Sequence, residues 1–453
     1  MGGHVRSIAH RRRYLQVSRR RLRDSHAQRH LAPCGAGRYD TDVDLLRDNR
    51  ILLGVSGGIA AYKAPELVRR LRDAGADVHV VLTAAAARFV SPLSLEVVSE
   101  HPVGADLWAP GRDSRIVHTD AGKDADLILL APATADLIGR IRHGLADDLL
   151  ATTVMACHTP VLVCPSMNTE MLANPFVREN LAALSADPRY TLLEPGVGLL
   201  ACGVHGPGRL PDPPEIIEAA AAVLTAKDLA GVRVTLSAGP TREAIDPVRF
   251  LSNRSTGTMG FALARAFAAA GAEVTLVAGP VALRTPVGVA RRVDVVTAAD
   301  LLGAVERAWE GTDVLVMTAA VADFRPTTVA ADKLKKGDLG AATSMPLERT
   351  ADVLATMTAR PGRDQKLLIG FAAETRDVEG YARRKLAAKG LDWIVANDVA
   401  AEGVGFGPGD NAAVLIGRDG AAHPFPRASK EALATRLVAA LAPTLAARSR
   451  RDG

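Results

Sequence analysis

Three polar side chains in the first half of the chain could act on a small organic substrate. Asn168 follows the apolar run Val161–Cys164, and its uncharged amide can donate hydrogen bonds to a carboxylate. His118 could serve as a base, and the thiol of Cys202, within the glycine-rich stretch LLACGVHGPGRLPDP, could donate a proton from a moving loop. Simpler interpretations stay open, because a lone histidine more often lies on the surface and a loop cysteine is more often passive.

Small and hydroxyl residues follow three further predicted strands in the same half of the chain. Glycine lets a phosphate approach the backbone, and the helix that follows presents open N–H groups. No G-x-G-x-x-G motif occurs, which argues against a dinucleotide site. A tight turn alone could explain the first of these segments, SGGIAAYK, but three such strand ends in one sheet favour a nucleotide-type or phosphate-containing ligand. The residues at these positions are Ser56, Gly57, Gly58, Thr83, Ala131 and Thr134.

The second half of the chain carries another loop suited to phosphates. The stretch SAGPTREAIDPVRFLSNRSTGTMG begins at Ser237, follows a predicted strand and leads into a predicted helix. It lacks the G-K-[ST] of a P-loop. Further on, Asp323 ends a strand and the lysine-rich DKLKK follows at 332–336, where it could neutralise a triphosphate while Asp323 holds a cation. A structural turn and a solvated lysine surface are the alternatives. The candidate phosphate-binding residues of the loop are Gly239, Thr241, Ser255 and Gly257.

Regular alternation of short apolar runs and amphipathic stretches indicates the elements that position these residues. From residue 49 onward the pattern predicts an α/β fold with two doubly wound, mainly parallel sheets, the first flavodoxin-like and the second Rossmann-like. A linker at 226–231 separates them. We therefore predict a basic extension over 1–46, a first domain over 47–225 and a second over 229–447.

The net charge of +5 comes from the amino-terminal arm. Residues 1–39 contain ten arginines and one acid, so the rest of the chain is slightly acidic. We expect no nucleic-acid partner for the folded part; binding of a polyanion by the arm is an alternative that would depend strongly on salt. The longest uncharged run, 149–167, contains two prolines and one histidine, which favours a buried helix and strand over a membrane span. Four cysteines without metal-binding spacing are typical of a cytoplasmic protein.

Taken together, the motifs of the first half resemble those of the flavin-containing phosphopantothenoylcysteine decarboxylases. SGGIAAYK, the histidine eight residues before Asp126, APATAD, PSMNTEM and LLACGVHGPGRLPDP occur in that family's order and spacing. The resemblance implies an FMN cofactor, His118 as the active-site base, Asn168 as the ligand of the substrate carboxylate and Cys202 as the proton donor on a closing flap. It also implies a homo-oligomer, because the flavin pocket of this family forms between subunits. A flavin-binding regulatory protein without turnover is the alternative.

The second half resembles the phosphopantothenate-cysteine ligase that is fused behind this decarboxylase in bacterial bifunctional coenzyme A biosynthesis proteins. The likeness implies activation of 4′-phosphopantothenate by CTP with Mg²⁺, followed by amide formation with cysteine. Lys333 matches the family's catalytic lysine, and Asn253 would hold the acyl-cytidylate. Departures from the two family patterns occur at Thr119, Asp136, Leu172 and Thr258; at Thr258 a family lysine is missing, which predicts weaker nucleotide binding. The implied nucleotide contacts are Gly239, Thr241, Ser255, Gly257, Asp323, Lys333, Phe371, Lys385 and Lys389, with Asp323 also at the metal.

Overall fold

The computed structural model describes residues 45–106, 122–335, 344–374, 377–398 and 410–449. These residues form two large sheets, one on each side of the predicted linker at 226–231. Helices pack on both faces of each sheet, as the alternating sequence pattern predicts. The α/β fold class with two mainly parallel sheets is therefore confirmed.

The first sheet contains five parallel strands in the order β2-β1-β3-β4-β5, which is the flavodoxin-like order. Its topological switch point lies between β1 and β3. The strands of this half are β1 (Arg50–Val55), β2 (Asp77–Leu82), β3 (Leu127–Ala133), β4 (Val161–Pro165), β5 (Tyr190–Leu192), β6 (Gly196–Leu199) and β7 (His205–Arg209). The helices are α1 (Ala64–Asp73), α2 (Pro92–Ser99), α3 (Ala135–Arg142), α4 (Leu149–Met155), α5 (Thr169–Ala173), α6 (Pro175–Ser185) and α7 (Pro213–Leu224).

The central strand β3 shows how this sheet forms its core. All seven of its residues are buried, as is usual for a parallel strand covered on both faces. Leu127 and Leu129 pack with α1 and α7 on one face, whereas Ile128 and Leu130 pack with α3 and α4 on the other. Each such side chain contributes roughly 1.5–3 kcal/mol by leaving water. The uncharged run 149–167 becomes helix α4 and buried strand β4, as predicted.

The second sheet contains eight strands in the order β12-β11-β8-β13-β16-β17-β18-β19. The first six are parallel and follow the 3-2-1-4-5-6 order of dinucleotide-binding folds, and the last two are antiparallel. The strands are β8 (Arg233–Ala238), β9 (Arg242–Ala244), β10 (Phe250–Ser252), β11 (Glu273–Ala278), β12 (Arg291–Asp294), β13 (Val314–Met317), β14 (Phe324–Pro326), β15 (Leu347–Arg349), β16 (Leu367–Glu374), β17 (Trp393–Asp398), β18 (Asn411–Gly417) and β19 (Ala422–Ala428). The helices are α8 (Thr258–Ala269), α9 (Ala298–Ala308), α10 (Val353–Thr358), α11 (Val378–Ala388) and α12 (Lys430–Ser449).

Helix α7 connects the two sheets and contacts both halves. Glu215 pairs with Arg284, and Glu218 pairs with Arg265 and accepts a hydrogen bond from the backbone N–H of Val287. The buried cores of the two sheets are built from separate sets of side chains, although the partly buried Val287 of the second half packs against the core of the first. Among the described residues no helix is long and apolar enough to cross a membrane.

Candidate active sites

The switch point of the first sheet is closed by hydrogen bonds between the ends of β1 and β3. The Ser56 hydroxyl donates to the carbonyl oxygen of Pro132 at 2.8 Å and accepts from the backbone N–H of Thr134 at 2.9 Å. Ser56 is buried, so this predicted ligand residue shapes the site rather than presenting its hydroxyl to a ligand. Thr134 in turn caps α3 by accepting from the N–H of Leu137.

Two glycines hold the loop after β1 open. A Cβ on Gly57 would lie 2.3 Å from Cβ of Ala85, and a Cβ on Gly58 would lie 3.1 Å from Cγ2 of Thr134. The loops after β1, β2 and β3 therefore pack closely at the carboxyl edge of the sheet, which is where ligands of such folds bind.

Two other predicted flavin-site residues contribute chiefly through the backbone. The side chain of Thr83 accepts from the N–H of Ala86 at 3.1 Å and so fixes the turn after β2. Ala131 is fully buried inside β3, so its methyl group belongs to the core. Both residues therefore define the shape of the carboxyl edge of the sheet.

Asn168 and Cys202 meet although 34 residues separate them. The Nδ2 atom of Asn168 donates towards Sγ of Cys202 at 3.3 Å. The Oδ1 atom of the same amide accepts from the N–H of Glu170 at 2.8 Å, so Asn168 is also the N-cap of α5. Because this cap fixes the oxygen, the amide NH₂ must face the thiol.

The segment carrying Cys202 is a β-hairpin rather than the simple glycine-rich loop that the sequence suggested. Strands β6 and β7 are antiparallel, and the exposed Cys202 lies in the turn between them. The hairpin is held to the end of β4 because the N–H of Met167 donates to the carbonyl of Gly208 at 3.0 Å and the hydroxyl of Thr169 donates to the carbonyl of Pro207 at 2.9 Å. Glycine is required at 208, since φ is +129° and a Cβ would lie 2.1 Å from the carbonyl oxygen of Met167.

The two methionines that flank Asn168 in the PSMNTEM motif differ in their surroundings. Met167 is partly buried against the core, whereas Met171 is 48% exposed. His118 and Thr119 lie outside the described residues, so the role of His118 stays a prediction. Asp136 is exposed and pairs with Arg140 one helical turn further along α3.

At the carboxyl edge of the second sheet lies a cavity of about 980 Å³. It begins at the switch point between β8 and β13 and extends across the ends of β16 and β17 to the start of β18. This volume lies at the upper end of the range for sites that bind cofactors and other small ligands. The predicted residues that line it are Gly239, Asn253, Ser255, Gly257, Asp323, Phe371, Lys385 and Lys389.

A glycine cradle forms the switch-point end of this cavity. Gly239 and Gly257 have φ of +82° and +78°, and a Cβ on Gly257 would lie 3.3 Å from Cα of Gly239. A Cβ on Gly260, in the first turn of α8, would lie 2.5 Å from both Cβ of Ala238 and Oγ1 of Thr318. The open amino end of this 12-residue helix thus faces space that only glycines keep free, as anion binding requires.

Two lysines supply positive charge to the same cavity, Lys385 within α11 and Lys389 directly after its last residue. Lys385 Nζ donates to the carbonyl of Phe371 at 2.8 Å, and Lys389 pairs with the carboxylate of Asp352. Burial would raise the pKa of Asp352, but hydrogen bonds from Lys389 and from the N–H of Ala355 outweigh it and lower the pKa. An arriving polyphosphate would compete with a carboxylate for Lys389.

Two side chains predicted for nucleotide binding do not line this cavity. Thr241 is buried, and its Oγ1 accepts from the N–H of Ala322 at 2.9 Å, so it ties two loops together. Lys333 is exposed, and the neighbouring Leu334 is held by Asp246 and Arg249. Hydrogen bonds from Arg249 and from backbone N–H groups hold the pKa of Asp246 far below its usual range. Neither side chain is part of the described cavity wall, and the roles of both at a ligand stay predictions.

Sequence reasoning missed three polar residues at the far end of the cavity. Asn397, Asn411 and Lys430 all line it, and the buried Oδ1 atoms of both asparagines have no hydrogen-bond partner among the residues that the structure describes. Burial lowers the pKa of Lys430. The stretches ANDV and GDNAAVLI contain the two asparagines, but nothing in their spacing indicates that adjacent strands bring them to one cavity.

Comparison with known proteins identifies the family. Residues 41–225 match the family model described as Flavoprotein, and residues 229–444 match the DNA/pantothenate metabolism flavoprotein C-terminal domain. The coenzyme A biosynthesis bifunctional protein CoaBC of Bacillus subtilis (strain 168) is 47% identical over 85% of this chain and 95% of its own length. That of Escherichia coli (strain K12) is 46% identical over 83% of this chain and 92% of its own.

The chain belongs to the family of bifunctional coenzyme A biosynthesis proteins. It is therefore a bifunctional enzyme with phosphopantothenoylcysteine decarboxylase and phosphopantothenate-cysteine ligase activities, as the motif resemblance implied.

Similar solved structures cover one half of the chain each. The crystallised C-terminal domain of a coenzyme A biosynthesis bifunctional protein CoaBC is 40% identical, covers 49% of this chain and 98% of its own, and has a TM-score of 0.41. A mutant PPC decarboxylase complexed with pantothenoylaminoethenethiol is 31% identical, covers 38% of this chain and 97% of its own, and has a TM-score of 0.35.

Proposed function

We propose that residues 47–225 bind FMN and decarboxylate 4′-phosphopantothenoylcysteine, and that residues 229–447 form this substrate from 4′-phosphopantothenate, cysteine and CTP with Mg²⁺. The observation that carries the first half is the contact of 3.3 Å between Asn168 Nδ2 and Cys202 Sγ. The contact joins the proposed ligand of the substrate carboxylate, at the end of β4, to the proposed proton donor, in a hairpin further along the chain.

The loops after β1, β2 and β3 fit the phosphate of FMN because Gly57 and Gly58 leave no room for a side chain. Bound FMN would supply the reversible two-electron oxidation of the cysteinyl thiol that makes loss of CO₂ possible. The protein's own task is then to hold the carboxylate and to deliver a proton. His118 remains the proposed base.

Asn168 suits the carboxylate because its amide is neutral. It donates a hydrogen bond without the tight ionic binding of a cation, so the carboxylate is not overstabilised before it leaves as CO₂. Cys202, exposed in the turn of its hairpin, would donate its proton to the carbon that CO₂ has left and regain a proton from solvent.

In the ligase half, the substrate carboxylate would attack the α-phosphorus of CTP and release pyrophosphate, and the amine of cysteine would then displace CMP from the acyl-cytidylate. The glycine cradle and the two lysines Lys385 and Lys389 fit the phosphates, and the exposed carboxylate of Asp323 fits Mg²⁺. Asn253 lines the cavity beside them and donates to the carbonyl of Ala320 at 2.9 Å, which fixes its amide. Lys333 stays the proposed catalytic lysine of the activation step.

Exposed apolar side chains support a homo-oligomer. On the segments that follow β1 and β2, four large apolar residues are more than half exposed: Ile59, Tyr62, Leu93 and Val97. A cluster of such residues is typical of a protein interface. We propose that these residues are covered by a second copy of the chain in the cytoplasm.

The deciding experiment supplies 4′-phosphopantothenate, cysteine, Mg²⁺ and either CTP or ATP to the full chain, and follows pyrophosphate and CO₂ together. We expect both products with CTP, CO₂ lagging behind pyrophosphate, and slower turnover with ATP. Equal rates with the two nucleotides would contradict CTP as the co-substrate. Pyrophosphate without CO₂ from a flavin-loaded sample would contradict the decarboxylase assignment.

A further inference from the structure

A cluster of two histidines and one aspartate lies at the amino end of strand β2. The flavin site is proposed at the carboxyl ends of the strands, on the opposite side of the same sheet. Asp77 is the first residue of β2, and His79 lies two positions further on the same face. His101 follows helix α2. Nε2 of His79 is 3.2 Å from Oδ2 of Asp77, and Nε2 of His101 is 2.7 Å from Oδ1, so the ligand atoms of all three side chains lie within 4.8 Å of one another.

The backbone on both sides of this cluster is fixed. The hydroxyl of the buried Ser99 donates to the carbonyl of His101 at 3.1 Å and accepts from its N–H at 3.2 Å. Three residues further on, Gly104 donates to the carbonyl of Val80 and accepts from the N–H of Leu82. The segment that carries His101 therefore runs along the edge strand β2, and only the side chains are free to adjust.

Solvent reaches all three side chains. They are 34–41% exposed, and the two imidazole rings stack with their centroids 4.1 Å apart. Each ring turns the same atom, Nε2, towards the shared carboxylate. A cation from solution can thus enter between groups that already converge.

We propose that Asp77, His79 and His101 form a binding site for Zn²⁺ or a similar first-row transition-metal ion. Two imidazoles and a carboxylate suit Zn²⁺, whereas Mg²⁺ prefers oxygen ligands alone. Bonds of about 2.0–2.2 Å place the ligand atoms of a tetrahedral Zn²⁺ roughly 3.4 Å apart. Small side-chain rotations on the fixed backbone separate the stacked rings and close the site. Each neutral imidazole binds through Nε2 once its proton has moved, by exchange with solvent, to Nδ1, and water completes the coordination.

Such an ion would fasten the edge strand of the first sheet to the segment after α2. One neighbour opposes it: Nε of Arg50 lies 3.0 Å from Oδ2 of Asp77 and competes for the same oxygen. The site therefore predicts opposite effects for two kinds of variant. Removing the imidazoles abolishes zinc binding, and removing the guanidinium strengthens it.

The test is calorimetric titration of the full chain with zinc chloride in excess Mg²⁺, which occupies oxygen-only sites. We expect the His79→Gln/His101→Gln variant to lose one equivalent of bound zinc, while His143→Gln, an exposed histidine of the same half, keeps it. We expect Arg50→Gln to bind that equivalent several-fold more tightly. Flavin absorbance and circular dichroism of each variant report whether it folds.

A second readout separates this site from zinc bound elsewhere, for example at Cys202 or Asp323. Zinc should raise the thermal unfolding midpoint of the unmodified chain and of His143→Gln, but not that of the double variant. An unchanged number of zinc equivalents in a folded double variant would overturn the proposal, and so would an Arg50→Gln variant whose zinc affinity falls.

Discussion

The two proposed active sites lie at equivalent edges of their sheets, yet they are built differently. In the first sheet the polar side chains at the switch point bond to the protein itself, and the reactive groups arrive from the end of β4 and from a hairpin. In the second sheet most of the predicted side chains line one cavity directly. The first arrangement positions a few reactive side-chain atoms, whereas the second spreads hydrogen-bond donors and cations along the cavity proposed for the nucleotide phosphates. Substitutions should accordingly affect rate in the first site and nucleotide affinity in the second.

The largest effect should come from Asn168→Asp. Aspartate keeps the helix cap, but it removes the NH₂ donor and places a negative charge against the substrate carboxylate. We expect decarboxylation to fall by about 10³-fold or more, by analogy with the loss of one aligned donor. The measurement is CO₂ release from 4′-phosphopantothenoylcysteine.

Asn174→Asp is the matched control, because Asn174 caps α6 through the same kind of bond, from the N–H of Phe176. It should leave CO₂ release unchanged. Pyrophosphate release should be normal in both variants. A ligase defect in Asn168→Asp would remove the distinction between the two sites.

Gly260→Ala should be the strongest perturbation of the second site. The added methyl group would press on Ala238 and Thr318, an overpacking that costs about 1–3 kcal/mol and shifts the first turn of α8. We expect nucleotide affinity to fall roughly ten- to a hundredfold, measured by titration calorimetry, while flavin binding is retained. Gly311→Ala, where nothing lies within 4 Å of the new Cβ, should behave like the unmodified chain.

Lys389→Ala should weaken nucleotide binding about tenfold, with a smaller effect on the rate at saturation. It removes a phosphate-binding cation and leaves Asp352 without its partner. Arg384→Ala, in the helix α11 that Lys389 follows, is the control, since Arg384 instead pairs with Asp377 and stacks on Tyr381. The KM for CTP should rise only in the lysine variant; a matching rise in both would point to a general effect of net charge.

Thr258→Lys should give the smallest change, a gain. Thr258 lines the cavity at the start of α8, and its hydroxyl is 2.8 Å from that of Thr256. A lysine there adds one partly exposed cation beside the phosphates, worth about 0.5–1 kcal/mol, or roughly a two- to fivefold tighter nucleotide complex. An unchanged affinity would show that this departure from the family pattern has no energetic role.

The sequence predicted the strand ends well but not which groups the side chains at those ends contact. Parallel sheets bring the carboxyl ends of their strands to one edge whatever the side chains do, so Ser56, Thr83 and Thr241 follow β1, β2 and β8 at those edges, as the sequence pattern predicts. Whether a hydroxyl faces a ligand or a neighbouring loop depends on distances between chain segments, which spacing along the chain does not encode. Asn397 and Asn411 were missed for the same reason.

The sequence by itself determined the architecture, the family and the chemistry. The spacing of apolar residues, the positions of glycines and the order of motifs are local properties that can be read without a structure. Only the tertiary structure decided which groups meet. The amide of Asn168 faces the thiol of Cys202 because a helix cap fixes the amide and a hairpin bonded to β4 brings the thiol to it. The convergence of His79 and His101 on Asp77 likewise depends on how α2 returns to the edge of the sheet, and contacts of that kind exist only once the chain is folded.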